Sequence, residues 1–247
     1  VVVSSEALIF LTFAIAVAAT LYSSVGHGGA SAYIALMALF GLAPEEIRPT
    51  ALVLNIIVAG YAAFSFLRAG RFDWRVFWPF AVTAIPAAFI AGRLDIPETV
   101  YRPLLAAALA AAALRYLLWP QLDAEAPARP PRLVIALPTG LALGALAGLT
   151  GIGGGVYLSP LLVFARWSDA HRTAGIAACF IVANSLAGLA GRWSSLAELP
   201  SFLPQLVAAA LVGALAGSSF SVAKLDRTAI LRSLGCVLGV AAIALFW

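Results

Sequence analysis

Residues 7–44 contain no Asp, Glu, Lys or Arg, an uncharged run of 38 residues that carries Gly26, Gly28 and Gly29 near its middle. A membrane-spanning helix needs about 20 apolar residues, so this run is too long for one helix and tight for two. Glycine costs about 1 kcal/mol in a helix interior and favours turns. The run therefore reads as two shorter helices joined by a Gly-rich break. The feature returns at 133–165, 33 uncharged residues interrupted by Gly151, Gly153, Gly154 and Gly155. Only 11% of the 247 residues are charged and 63% are apolar, whereas a soluble domain carries roughly 25% charged residues. Mean hydropathy is +1.00. This excludes a soluble enzyme, a secreted disulfide scaffold and a nucleic-acid binder. An outer-membrane barrel would instead alternate in segments of about 10 residues. The expected fold is an all-α integral membrane protein.

Further uncharged runs lie at 49–67, 76–92 and 103–114, then at 173–191, 199–223 and 233–247. Between the two sets stands a hydrophilic linker, Gln121 to Arg132, with three prolines and four charges. It divides the chain into a first membrane repeat, 1–119, a linker, 120–132, and a second repeat, 133–247. The halves also match in detail. Asn55 and Asn184, the only two asparagines, sit mid-segment in equivalent helices, and Ala91-Gly92 and Ala216-Gly217 end the fourth segments. An internal duplication accounts for this spacing. Residues 1–22 have some of the look of a signal peptide, but no basic residue precedes the apolar run, and the segment is expected to belong to the fold.

Charge placement chooses a topology. If each Gly-broken pair returns to its starting side, eleven Lys and Arg residues fall on one face and four on the other: Arg48, Arg93, Arg102 and Arg192. If each pair makes a single crossing, the division becomes seven against eight. Only the first obeys the positive-inside rule. It puts the linker in the cytoplasm and both termini outside, and inserts the second half upside down. Two inverted repeats, each a re-entrant helix pair followed by three transmembrane helices, describe a secondary transporter.

The Gly turns suit an anion. Without Cβ atoms the backbone approaches a ligand closely, and the helices that follow begin with free N–H groups and a positive dipole end. Such termini hold sulfate, phosphate or carboxylate groups without a fixed cation. The candidate site comprises Gly26, His27, Gly28 and Gly29 in the first turn, and Thr150, Gly151, Gly153, Gly154 and Gly155 in the second. Ser24 and Tyr157 add nearby hydroxyls. Asn55 and Asn184, costly at mid-membrane unless hydrogen-bonded, either donate to the substrate, tie down the opposite Gly turn, or join helices. His27 either donates to the anion or titrates near neutral pH; its repeat partner is Ile152.

A Gly-rich turn after a first apolar helix, repeated after a linker and followed each time by an Asn-bearing helix, resembles the TauE/SafE family of sulfite and organosulfonate exporters. Gly151-Ile152-Gly153-Gly154-Gly155 with Pro160 is the clearer match; Gly26-His27-Gly28-Gly29-Ala30 departs by a His and a final Ala. The resemblance covers nearly the whole chain. It implies export of a small sulfur-containing anion, sulfite or a sulfonate such as sulfoacetate, across the cytoplasmic (inner) membrane. Composition and spacing alone support only a transporter.

Gly140, Gly144 and Gly148, Gly213 with Gly217, and Gly235 with Gly239 recur every four residues, a pattern that lets helices pack closely, here within the protomer rather than at a homodimer contact, which the sequence leaves open. Trp74, Trp78, Trp119 and Trp193 read as interfacial anchors, and Cys179 and Cys236 as packing residues. The expected partners are a small anion and membrane lipid, with no nucleic acid. No cofactor or metal motif is present. An anion channel is the nearest alternative. An intramembrane serine protease, built on Ser31 of Gly29-Ala30-Ser31-Ala32 with His171 as base, is remote, because the second repeat has Val156 where Ser31 stands.

Overall fold

A computed structural model describes residues 4–24, 28–118 and 129–219, with eight further positions between 232 and 243. Nine α-helices lie among the described residues: α1 (Ser5–Ser24), α2 (Ala30–Leu39), α3 (Pro44–Arg68), α4 (Trp74–Gly92), α5 (Glu98–Leu118), α6 (Leu133–Thr150), α7 (Gly155–Phe164), α8 (Ala170–Gly191) and α9 (Leu203–Ser219). A 3-10 helix, Trp193–Glu198, follows α8. Six of these helices are long and apolar enough to cross a membrane. α2 and α7 have only 10 residues each, about 15 Å at 1.5 Å per residue, or half the hydrocarbon thickness.

Local sequence sets the boundaries. α3 starts with Pro44 and carries Glu45 and Glu46 in its first turn, where the helix dipole favours negative charge. Asp73 and Asp169 cap α4 and α8, accepting hydrogen bonds from the backbone N–H of Arg75 and Arg172, each at 2.9 Å. α5 extends beyond its 12-residue uncharged run because Glu98 and Arg102 pair one turn apart at 2.6 Å.

The glycine ridges fix how the helices run. A Cβ on Gly140, Gly144 or Gly148 of α6 would collide with the carbonyl of Phe80, Ala84 or Ala88 on α4. Both helices advance together, so they are parallel and nearly in backbone contact. On α9, Gly213 and Gly217 meet the carbonyls of Ala16 and Thr20 of α1 in the same way, and these helices are also parallel. Gly235 packs against Leu117 of α5. The three ridges are spent inside the protomer. α3 and α8 run antiparallel, since Gly188 adjoins Leu52 while Gly175 adjoins Phe66.

Helices α6 and α7 form a hairpin. The N–H of Arg129, ahead of α6, donates to the carbonyl of Arg166, beyond α7, at 3.1 Å. At the turn, the Cβ position of Gly154 lies 3.2 Å from the Leu143 carbonyl, so the chain has already doubled back along α6. In the first half, the Tyr22 and Ser31 hydroxyls meet at 2.7 Å, joining the end of α1 to the start of α2.

Burial completes the picture. Ile9, Phe10 and Phe13 of α1, Ile90 of α4 and Val134 of α6 are large, apolar and exposed, an outer surface suited to lipid. The interior between helices is rich in alanine, with Ala84, Ala88, Ala112 and Ala177 fully buried. Trp74 and Trp193 are exposed at helix ends, as interfacial anchors should be; Trp119 lies outside the described residues. Cys179 is half-buried, but Cys236 is exposed and does not pack as the sequence suggested.

Candidate functional site

Both half-length helices spring from glycines in the left-handed region. Gly29 has φ +86° just before α2, and Gly154 has φ +77° just before α7; Gly151 and Gly153 have φ +82° and +81°. A Cβ is disfavoured there by roughly 1–2 kcal/mol, and three such residues within four positions turn the chain back inside the bundle. Thr150 closes this turn from within, its Oγ1 donating to the Leu146 carbonyl at 2.6 Å and accepting from Ile152 N–H at 3.3 Å. The first N–H groups of α2 and α7, those of Ala30, Ser31, Gly155 and Val156, have no carbonyl within their own helices.

The two turns meet at α3 and α8. Asn55 of α3 is fully buried, and its Nδ2 faces the carbonyls of Gly151 and Ile152 and the Ser185 Oγ at 3.4–3.5 Å. Its Oδ1 lies 3.2 Å from the Cβ position of Gly28, in the other turn. Ile181 of α8 bridges the same gap, with Cγ2 at 3.3 Å from that position on Gly28 and 3.0 Å from the one on Gly153. Asn55 and Ile181 therefore touch both Gly turns. Asn184, one turn beyond Ile181, is fully buried, and neither its Nδ2 nor its Oδ1 has a partner among the described residues. A buried amide in that condition costs a few kcal/mol unless something else satisfies it.

The structure brings Gly28, Asn55, Gly151 and Gly153 together, with Thr150, Gly154 and Gly155 in the same turn, Gly29 next to Gly28, and Asn184 next to Ser185 on α8. Gly26 and His27 lie outside the described residues, and Ser24 is the last residue of α1. The Tyr157 hydroxyl is committed elsewhere, donating to the Ala108 carbonyl of α5 at 2.7 Å. Ser31, the residue behind the protease alternative, pairs with Tyr22. Sequence reasoning missed Ile181 and Ser185, whose nearness to Asn184 along α8 was the available signal. It also missed Tyr33, whose ring covers Gly29 and whose buried hydroxyl lacks a partner among the described residues.

A family model described as "Sulfite exporter TauE/SafE" matches residues 11–245. The chain belongs to the TauE/SafE family. A relative from Sinorhizobium fredii (strain NBRC 101917 / NGR234), described as "Probable membrane transporter protein y4hK", is 39% identical over 245 residues, spanning 96% of this chain and 97% of the relative. No solved structure matches. As a TauE/SafE protein with six span-length helices, the chain is a multi-pass membrane protein of a transporter family.

Proposed function

We propose that this TauE/SafE transporter exports a small sulfur-containing anion, sulfite or an organosulfonate such as sulfoacetate, across the cytoplasmic membrane. The anion is held between the two Gly turns, against the N-termini of α2 and α7 and the Asn184 amide. The observation that carries this reading is the convergence of both turns on Asn55 and Ile181. Two opposed helix N-termini bind an anion by backbone N–H groups and dipoles, without a cation that would hinder release. The membrane potential favours exit of an anion by about 2.3 kcal/mol per charge per 100 mV, so export needs no coupling ion.

The reading includes two inverted repeats whose hairpins enter from opposite faces. Several contacts support it. Arg192, at the end of α8, donates to the carbonyls of Gly92 and Leu94 and pairs with Asp95 at 2.9 Å. Arg172, at the start of α8, approaches Asp73 at 3.7 Å. Single crossings by the Gly-broken pairs would leave both sets of partners on opposite faces of the membrane. Returning pairs bring them together. On this topology the linker faces the cytoplasm and the N-terminus the outside.

Two measurements test the proposal. In proteoliposomes, a potential-driven flux of sulfite or sulfoacetate should exceed that of acetate and chloride; flux of carboxylates alone would overturn the substrate class. With Cys179 and Cys236 replaced by alanine, Ser194→Cys should react with an impermeant thiol reagent from outside intact cells and Arg129→Cys should not. The reverse pattern would overturn the orientation.

A further inference from the structure

Two buried arginines meet at one end of the bundle, away from the Gly turns. Arg48 near the start of α3 is 4% exposed and Arg192 after α8 is 5% exposed. They line a cavity of about 270 Å³ together with Tyr101, Asp95, Glu45 and Glu98. At about 30 Å³ per water, this space accepts a small oxyanion with part of its hydration shell. The two cations are held differently. Arg192 is satisfied by two carbonyls and by Asp95, a residue that is 94% exposed in its side chain. Arg48 has no carboxylate within ion-pair distance among the described residues. Its Nη2 donates to the Gly148 carbonyl at 3.3 Å, its guanidinium lies 5.5 Å from the Tyr101 ring centroid, and its Nε has no partner. The buried Tyr101 hydroxyl also lacks a partner. Glu98 is engaged by Arg102.

A buried guanidinium that meets the carboxylates of Glu45 and Asp95 only across the cavity, beside an unpartnered phenol, is an expensive arrangement, and one that an oxyanion completes. The guanidinium fork matches sulfur and phosphorus oxyanions, and a phenolic O–H supplies a further donor. We propose that this cavity is an anion-binding station for small sulfur oxyanions, with Arg48 and Tyr101 as its ligands and Asp95 as a tethered competitor on Arg192. Arg48 lies seven residues before Asn55 on α3, about 10 Å along the helix axis, and its carbonyl abuts Gly151. The station thus adjoins the Gly turns on the side assigned to the outside; its place on an export path rests on the proposed function, but binding itself does not. Asp95 keeps the station from holding its anion too tightly, because a carboxylate at the mouth competes for the same cation.

The test uses the full chain with Cys179 and Cys236 replaced by alanine and Ser194→Cys, a residue lining the cavity, as a local reporter. Sulfate and methanesulfonate should slow its labelling by a thiol reagent, with chloride much weaker. Arg48→Gln should raise the half-protecting sulfate concentration about tenfold, the loss of one charge-assisted hydrogen bond. Arg48→Lys should fall between, which keeps the test valid if the Gln variant misfolds, and Asp95→Asn should lower that concentration severalfold. Labelling indifferent to sulfate, or protection equal in Arg48 and Arg48→Gln proteins, overturns the station. Flux measured in parallel separates the two readings: Arg48-dependent protection without sulfite or sulfonate flux keeps the station and rejects the transport assignment.

Discussion

Among the described residues the two Gly turns are held by different contacts. The second, 151–154, is closed from inside by Thr150 and laced to the first half of the chain: Arg48 donates to the Gly148 carbonyl, and Asn55 faces the carbonyls of Gly151 and Ile152. Towards the first turn, Asn55 offers only its Oδ1 beside Gly28. Asn184, the repeat equivalent of Asn55, has no partner among the described residues. The difference suggests a division of labour between the two asparagines. On the proposed function, Asn55 ties one turn in place and Asn184, without a partner among the described residues, offers its amide to the substrate.

The largest effects should come from breaking the scaffold that positions both turns. Gly144→Leu would drive a side chain into Ala84, and Gly217→Leu into Thr20; both should abolish the monodisperse peak in size-exclusion chromatography. Gly60→Leu, at a position with nothing within 4 Å of its Cβ, should behave as wild type.

Next come the asparagines, where the comparison itself is at stake. Asn55→Leu and Asn184→Leu should both stop anion flux. Asn55→Leu should also lower stability by roughly 0.5–1.5 kcal/mol through its lost hydrogen bonds, seen as a reduced Tm in detergent. Asn184→Leu should keep or raise Tm, because it removes an unsatisfied buried amide. Equal Tm changes in the two variants would erase the proposed division of labour.

A smaller effect concerns His27, which stands where the second turn has Ile152. Protonated imidazole attracts an anion, so wild-type flux should fall as pH rises through neutrality. His27→Gln should retain flux but lose that slope between about pH 5.5 and 7.5. An unchanged pH profile would assign the dependence elsewhere. The smallest effect is Tyr157→Phe, which removes the hydroxyl that bonds Ala108. Flux should persist with a stability loss of about 1 kcal/mol; abolished flux would return that hydroxyl to the anion site.

Much of this was readable in the residues. Uncharged runs too long for one helix and tight for two, with glycines near the middle, anticipated two shorter helices joined at each Gly-rich break; the helices beyond the breaks start at Ala30 and Gly155. Periodic glycines foretold close helix contacts, because four-residue spacing places them on one helix face. What local pattern does not carry is the identity of a partner far along the chain. Arg48 and Arg192 each counted as one basic residue on the less basic face, and nothing near either one announces that α3 and α8 bring both to one cavity. Likewise Ile181 is an ordinary apolar residue on α8 until two turns from different halves close upon it.

The crossed pairing of α1 with α9 and of α4 with α6 has a consequence for synthesis. Ala16 meets Gly213, and Thr20 meets Gly217, so α1 waits through roughly 200 residues of synthesis for the helix it packs on most closely. At 5–20 residues per second that interval is about 10–40 s. Meanwhile α1 must reside in lipid without its closest neighbour, and its polar side chains permit this. Thr12 and Thr20 each return their hydroxyl hydrogen to a carbonyl one turn back, at 2.7 and 2.8 Å, leaving little unsatisfied along the apolar length. Gln205 reaches Thr12 only when α9 docks, a contact that marks the completion of assembly.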